Sequence, residues 1–173
     1  LTSLSLNLAV LLRRKNDGTG VKAAVFPVPT GVSKRIIALP PEGRTHKFVL
    51  LEDVLSAYAG IFFRGCEILE TVAFRITRDA DLEINNEAED LLTEIKKSLK
   101  KRRKGAAVRL EVSSHASRTI KHFLKSVLRL HEGDVYSIPG PLDLKAFFAL
   151  TGLAGFEELH YPAAVPQPVK DLL

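Results

Sequence analysis

The sequence predicts an α+β fold in a single domain, with a mixed sheet, helices packed on it and an opening β-hairpin. Apolar residues alternate at period two near the start, helical periods appear later, and the later elements follow the order β-α-β-α-β-α. The chain has 173 residues, of which 46% are hydrophobic and 26% charged. That length and composition suit one well-buried domain and are too small for two ordinary ones.

The opening hairpin is predicted from turn residues between two apolar runs. A strand is expected over 4–14 and a second over 21–28, joined by the sequence KNDGTG. Asn, Asp and Gly accept positive φ at low cost, which suits a hairpin turn. The glycines also match the dinucleotide fingerprint G-x-G-x-x-A, which requires a helix directly after the turn. Pro27 and Pro29 argue against a helix there, so the hairpin is the better interpretation.

The remaining elements follow from the same two periods. We expect strands over 35–39, 46–51, 66–84, 107–112 and 135–138, and helices over 52–63, 87–104, 116–130 and 142–150. The apolar stripe of the helix at 52–63 contains Val54, Leu55, Tyr58, Ile61 and Phe62. The stripe of the helix at 116–130 contains Ile120, Phe123, Leu124, Val127 and Leu128. Each stripe predicts the helix face that packs on the sheet.

The net charge of +5 is concentrated in one segment. Seven of the 25 Lys and Arg residues lie within nine positions, as Lys96, Lys97, Lys100, Lys101, Arg102, Arg103 and Lys104. On the predicted helix, Lys96, Lys97, Lys100 and Lys101 lie opposite the apolar stripe, and they are the candidate residues for attracting a polyanion. A solvated helix face is the alternative interpretation. Nucleic acid, anionic lipid and polyphosphate all qualify as the polyanion, and nucleic acid is disfavoured because no aromatic side chains that stack on bases lie nearby.

Motifs for chemistry are sparse. The sequence has no phosphate-binding G-x-x-x-x-G-K-[ST] loop, and its five histidines lack metal-ligand spacing. Asp79 and Asp81 suit a loop that caps the following helix better than a pair of catalytic carboxylates. We therefore expect no catalytic, cofactor-binding or metal-binding residue in this chain.

The sequence also predicts the cellular compartment of the protein and whether the chain is part of a longer polypeptide. The single cysteine, Cys66, excludes an intramolecular disulfide and fits a reducing cytoplasm. No uncharged run approaches the roughly 20 residues of a transmembrane helix, and we expect no signal peptide because no basic region is followed by an apolar stretch at the start. The chain begins at Leu1 without a methionine, which predicts a fragment of a longer polypeptide. We expect a cytoplasmic protein without a transmembrane segment.

Five stretches together resemble the bacterial polyphosphate kinase family. They are 5–12 (SLNLAVLL), 51–54 (LEDV), 74–84 (FRITRDADLEI), 99–112 with its RR and AVRLEV words, and 134–144 with its DVY and GPLDL words. Each stretch alone is weak, but all five occur in the order and spacing of the family across nearly the whole chain. Lys104 departs from the aromatic residue usual in the family, and Cys66 from a common methionine. The first departure puts in doubt how the end of the basic helix packs.

The resemblance implies that residues 1–161 form the head, or middle, domain and that 162–173 form a Pro-rich linker toward C-terminal domains. In such a family the parent enzyme reversibly transfers the γ-phosphate of ATP to polyphosphate through a phosphohistidine, with Mg²⁺. The resemblance places these catalytic residues outside this chain. It implies a homodimer in the parent enzyme, a head domain that supports the polyphosphate tunnel, and peripheral membrane association of the parent as a further expectation.

Two other functions fit parts of the sequence. A basic nucleic-acid-binding module would use the same lysines and would bind nucleic acid at least as tightly as polyphosphate. A phosphohistidine phosphatase would need a catalytic histidine beside a basic anion-binding group, and none of the five histidines stands out in this way. The resemblance favours the polyphosphate kinase head domain, with polyphosphate as a weak partner of the basic helix.

Overall fold

The computed structural model describes residues 1–15, 20–43, 45–79 and 105–164. Seven strands are present: β1 (Leu6–Arg14), β2 (Val21–Pro27), β3 (Ile36–Glu42), β4 (Thr45–Leu50), β5 (Cys66–Arg78), β6 (Ala107–Ser113) and β7 (Val135–Ile138). Five of them form a sheet in the order β2-β1-β5-β6-β7, and β3 and β4 form a separate hairpin. The β6–β7 pair is parallel and the others are antiparallel, so the predicted mixed sheet is confirmed.

Within the described residues, three α-helices accompany the strands: α1 (Leu51–Ala57), α2 (Ala59–Phe62) and α3 (Arg118–Leu128). The 3-10 helices are Glu132–Asp134, Leu144–Gly152 and Glu157–Leu159. Helix α3 begins at the cap residue Ser117, whose hydroxyl accepts the amide hydrogen of Ile120, and ends at Arg129 in the left-handed conformation. The predicted opening hairpin is confirmed, because β1 and β2 pair antiparallel from Asn7 to Arg13.

Helix α3 covers one face of the sheet. Its buried residues Ile120 and Leu124 pack against Phe74 and Ile76 of β5 and Leu110 of β6. The same cluster includes Ala9, Leu11, Val72 and Val112. Alternate strand residues point to this face, as the period-two pattern requires. This is the larger of the two cores.

A second core lies on the opposite face. Leu6 and Leu8 of β1 pack there with Val28, Leu51 and Leu142, and Ile37 of β3 and Leu55 of α1 lie against them. The hairpin, helix α1 and the segment after β7 therefore form a layer of their own on this face. Strand β1 is buried on both sides, so Asn7 is fully buried although the sequence pattern predicts a polar, outward position. Its Nδ2 donates to the Ser5 carbonyl oxygen at 2.8 Å.

Two predicted helices differ from the structure. The single helix expected over 52–63 is divided at Tyr58, and Tyr58, Ile61 and Phe62 are about 60% exposed instead of buried. Tyr58 leaves the α-helical conformation, with φ of −103° and ψ of 14°, and this ends α1 there. The helix expected over 142–150 is a 3-10 helix that begins at Leu144. Asp143 precedes it in the left-handed conformation, with φ of 50°, which is incompatible with the first turn of an α-helix.

Gly105 lies where two backbones approach closely. Its carbonyl oxygen accepts from Arg78 Nη1 at 2.7 Å, and a Cβ at this position would clash with the carbonyl oxygen of Asp79. The amide of Asp79 also donates to the carbonyl oxygen of Ala106 at 2.8 Å. The neighbouring backbone is therefore fixed and has little freedom to move away.

We predict that Gly105→Ala lowers the free energy of unfolding by about 1–3 kcal/mol, because the added methyl group overpacks this contact. Urea unfolding followed by circular dichroism measures the change. Gly133→Ala is the matched control, since a Cβ there meets open space, and it should change stability by less than about 0.5 kcal/mol. Equal effects of the two substitutions would contradict the close approach.

Candidate functional site

The four lysines predicted to attract a polyanion lie outside the described residues. Lys96, Lys97, Lys100 and Lys101 belong to the stretch 80–104, and Asp81 belongs to it as well. The candidate site among the described residues is therefore built from other side chains. It consists of a charge network that joins the second layer to the sheet, here called the Arg35 network.

Arg35 is the centre of this network. It is 5% exposed, and Glu52 of α1 is 4% exposed. Arg35 Nε donates to both carboxylate oxygens of Glu52 at 3.1 Å, and Nη2 donates to one of them at 2.5 Å. The same guanidinium donates to the carbonyl oxygens of Leu142 at 2.5 Å and Asp143 at 2.6 Å. The planar guanidinium of Arg35 thus connects its own segment to helix α1 and to residues 142–143.

The network continues across the exposed part of the second sheet face. The Asp143 carboxylate lies 3.7 Å from Arg35 Nη1 and 3.5 Å from Arg75 Nη1. Arg75 in turn lies 3.9 Å from the Glu111 carboxylate. Arg109 Nε donates to Glu111 at 3.0 Å, and its guanidinium carbon lies 3.8 Å from the centre of the Tyr136 ring. Cations and carboxylates alternate along this path, so its charges largely neutralise one another.

A small cleft of about 280 Å³ lies on the other side of Glu52. Ser113, His115 and Asp53 line it, and the Ser113 hydroxyl is 2.7 Å from His115 Nε2. Partial desolvation raises the pKa of the Asp53 carboxyl above its ordinary value, and the neighbouring Glu52 carboxylate raises it further. The charges of Arg35 and His115 oppose both effects. The cleft is therefore polar and shares Glu52 with the Arg35 network.

The histidines occupy several different settings. His46 meets Phe156 edge to face at a ring separation of 5.7 Å, and His160 Nε2 is 2.7 Å from the Thr151 carbonyl oxygen. His122 of α3 is exposed. Within the described ranges, no three His, Cys, Asp or Glu side chains converge as a metal site. In the same part of the chain, no helix is long and apolar enough to cross a membrane.

Arg35 lies in none of the five stretches that carry the family resemblance, although these stretches contain the other members of its network. Glu52 belongs to the LEDV word, Arg75 to FRITR, Arg109 and Glu111 to AVRLEV, Tyr136 to DVY and Asp143 to GPLDL. The sequence stretches that carry the resemblance therefore contribute residues to one network in the folded protein. In the sequence, Arg35 lies 17 residues from Glu52 and 108 residues from Asp143. No local sequence pattern therefore predicted that these residues contact one another.

A mixed-sheet α+β domain, closed by an internal charge network, is the class of structure defined by these contacts. Comparisons with known proteins identify the family. Residues 1–150 match the family described as polyphosphate kinase middle domain. The polyphosphate kinase of Bacillus cereus is 45% identical over 179 residues, covering 99% of this chain and 25% of that protein. The polyphosphate kinase of Streptomyces coelicolor is 40% identical over 173 residues, covering 99% of this chain and 22% of that protein.

A solved structure supports the fold. The crystal structure of polyphosphate kinase from Porphyromonas gingivalis aligns with a TM-score of 0.70 and 19% identity, covering 99% of this chain and 24% of that one. The chain belongs to the polyphosphate kinase family, and its first 150 residues correspond to the middle domain. It spans about a quarter of the length of the curated relatives named here. The family suggested by the sequence words is thereby confirmed.

We predict that Arg35→Met lowers the free energy of unfolding by about 3–5 kcal/mol, because it leaves the Glu52 carboxylate buried without its partner. The double variant Arg35→Met, Glu52→Met should be more stable than the single one, since it removes the orphaned charge. It should stay below the parent, because the carbonyl oxygens of Leu142 and Asp143 lose their donor. Chemical unfolding of the three proteins measures these differences.

Lys47→Met provides the control. Lys47 pairs with Glu42 at 2.6 Å on the surface, where the two side chains are 42% and 75% exposed. Loss of this pair should cost less than about 1 kcal/mol. An Arg35→Met variant as stable as Lys47→Met would show that the Arg35 network does not hold the layers together.

Proposed function

We propose that this chain is the non-catalytic head domain of a polyphosphate kinase, the parent enzyme reversibly transferring the γ-phosphate of ATP to polyphosphate through a phosphohistidine. The observation that carries the proposal is the match of residues 1–150 to the middle domain of this family. The coverage of only about a quarter of the related enzymes supports a role as one part of a larger catalyst. ATP and Mg²⁺ are then ligands of the parent enzyme, held by residues outside this chain.

The geometry supports a scaffolding role for the charged residues. Arg35 donates to the carboxylate of Glu52 and to the backbone carbonyl oxygens of Leu142 and Asp143 inside the protein. Arg75 and Arg109 are directed at the carboxylates of Asp143 and Glu111. A residue that stabilises a transferring phosphoryl group must instead point its charge at the substrate. The charges of the Arg35 network therefore serve the fold better than they would serve phosphoryl transfer.

We predict that the 173-residue chain alone is catalytically silent. Incubated with ATP, Mg²⁺ and polyphosphate, it should form no ADP above the buffer rate and no acid-labile phosphoprotein. The full-length parent enzyme, assayed at the same molar concentration, is the positive control. Turnover by the isolated chain, or a phosphohistidine formed on one of its five histidines, would refute the non-catalytic assignment.

The head domain is also proposed to contribute to a homodimer of the parent enzyme. The exposed side chains of Tyr58, Ile61 and Phe62 offer apolar surface for such a contact. Sedimentation velocity over a wide range of concentrations should show reversible self-association, weaker than that of the parent because a fragment retains only part of an interface. A chain that stays monomeric at the highest concentration would argue against an interface made mainly by this domain.

The parent enzyme is proposed to be cytoplasmic, with peripheral membrane association. The single cysteine fits a reducing compartment. Separation of a bacterial lysate into soluble, membrane and salt-washed membrane fractions tests this directly. Parent enzyme that stays in the membrane fraction after a high-salt wash would contradict peripheral association.

The basic segment is proposed to attract polyphosphate into the tunnel of the parent enzyme. On the predicted helix, the seven cations of residues 96–104 are expected to form a local positive field, and like charges three and four residues apart repel slightly. Folding stability therefore does not explain why these lysines occur together, whereas attraction of a polyanion does. Support comes from the family membership, since the related proteins are named polyphosphate kinases.

We predict that changing Lys96, Lys97, Lys100 and Lys101 together to Gln weakens polyphosphate binding while the stability stays equal or rises by a few tenths of a kcal/mol. The slope of log K against log salt concentration should flatten, by up to about four, because fewer counterions are released. Binding is measured by fluorescence anisotropy with labelled polyphosphate at several salt concentrations.

The matched control removes four other lysines, Lys22, Lys47, Lys121 and Lys125, and so lowers the net charge by the same amount. It should keep most of the binding. Equal loss in both variants would indicate a general charge effect, and no loss in the first would favour a solvated helix face. Tighter binding of single-stranded DNA than of polyphosphate would favour the nucleic-acid-binding alternative.

A further inference from the structure

A groove separates the β3–β4 hairpin from the 3-10 helix Leu144–Gly152. Its volume is about 920 Å³, within the range of small-molecule sites. Most of the side chains that line it are apolar, including Ile37, Phe48, Leu51, Ala149, Leu150 and Leu153. None of the predicted functions uses this groove.

The polar residues of the groove have a positive balance. Lys34, Arg35 and Lys145 line it against one carboxylate, that of Asp143. Arg35 is directed at Glu52 and Asp143, so its charge is already neutralised. Lys34 and Lys145 are exposed, and neither forms an ion pair within the described ranges. An anionic group in the groove would therefore meet two available ammonium groups, and the hydroxyls of Thr30 and Ser33 lie along the same wall.

The surroundings of the groove are also apolar and uncovered. Val32 next to Ser33 is 91% exposed, and Leu144 and Phe148 of the 3-10 helix are 66% and 75% exposed. Large apolar side chains this accessible are costly to leave in water when they cluster near an apolar groove. The floor is rigid, because Leu51 belongs to the second core and the Arg35 guanidinium is held by hydrogen bonds to three residues. A rigid floor lowers the cost of binding a ligand.

We propose that this groove binds a monomeric anionic amphiphile, meaning an unbranched acyl chain with a single carboxylate or phosphate head. The apolar lining would bury the chain, and Lys34 and Lys145 would hold the head. Polyphosphate has no apolar part and would leave the lining in water, so the proposal assigns a ligand different from the substrate of the proposed function. A cationic amphiphile would place its charge against the two lysines.

Dodecanoate below its micellar concentration is the probe, and isothermal titration calorimetry with the 173-residue chain is the measurement. We expect saturable binding with one ligand per chain. Each methylene removed on going from dodecanoate to octanoate should weaken binding by up to about fourfold. The double variant Lys34→Gln, Lys145→Gln should weaken it by up to about fivefold per lysine.

The matched controls separate charge from shape. Lys22→Gln removes an exposed lysine far from the groove lining and should leave binding unchanged. Ala149→Phe fills the groove and should abolish binding without removing a charge. Thermal unfolding of each variant checks the fold, and the lysine variants decide the outcome even where Ala149→Phe is unstable. Dodecyltrimethylammonium, with the same chain and the opposite charge, should bind far more weakly than dodecanoate.

Three results would overturn the proposal. The first is the absence of saturable dodecanoate binding, and the second is equal binding of the cationic amphiphile. The third is binding only to phosphatidylglycerol vesicles, which would indicate a membrane surface instead of a monomeric ligand. Catalytic activity of the parent enzyme does not enter these measurements, so their outcome is independent of the proposed function.

Discussion

The buried pair between Arg35 and Glu52 is the interaction on which the second layer of this domain depends. The sheet and helix α3 share the larger core, which is built of apolar side chains. The hairpin, α1 and the segment after β7 share only a small apolar cluster with the sheet. Arg35 joins all of them, because it lies just before β3, pairs with α1 and donates to the carbonyl oxygens of Leu142 and Asp143.

A buried ion pair is costly unless its hydrogen bonds are complete, because both charges lose their hydration. Here the guanidinium has partners on all three of its nitrogens, and both carboxylate oxygens of Glu52 are engaged. The backbone adds a further bond, from the amide of Leu51 to the carbonyl oxygen of Arg35 at 2.8 Å. The pair therefore fixes the position of the second layer more than it adds to total stability. All of its hydrogen bonds form together only when the joined segments are positioned as they are here.

The same pair links the fold to the proposed function. The network runs from Arg35 through Asp143 to Arg75 and Glu111, and it ends where Arg109 lies over Tyr136. Charges paired inside the domain are not available to bind phosphate groups. In contrast, the cations of residues 96–104 form a dense local field, and Lys34 and Lys145 line an apolar groove. The two proposed binding sites, for polyphosphate and for an anionic amphiphile, therefore rely on basic residues other than those of the Arg35 network.

The strands were predictable because each has a local pattern. The period-two alternation located β1, β2, β5 and β6 within a few residues, and the helical stripe located α3. The layer on the second face was less predictable, because its geometry is set by contacts between residues far apart in sequence. Asp143 takes a left-handed conformation beside Arg35, so a 3-10 helix replaces the expected α-helix. The candidate polyanion residues were chosen from charge alone, and they stay a prediction.

The central claim is that the Arg35 network specifically holds the second layer on the sheet. Residue-resolved native-state hydrogen exchange of Arg35→Lys tests it most directly, because lysine keeps the charge but loses the fork. We expect amide protection to fall in β3, β4 and residues 142–153, while the amides of Leu8, Phe74 and Leu110 keep theirs. A uniform loss of protection across both layers, or no loss in the hairpin, would contradict the account.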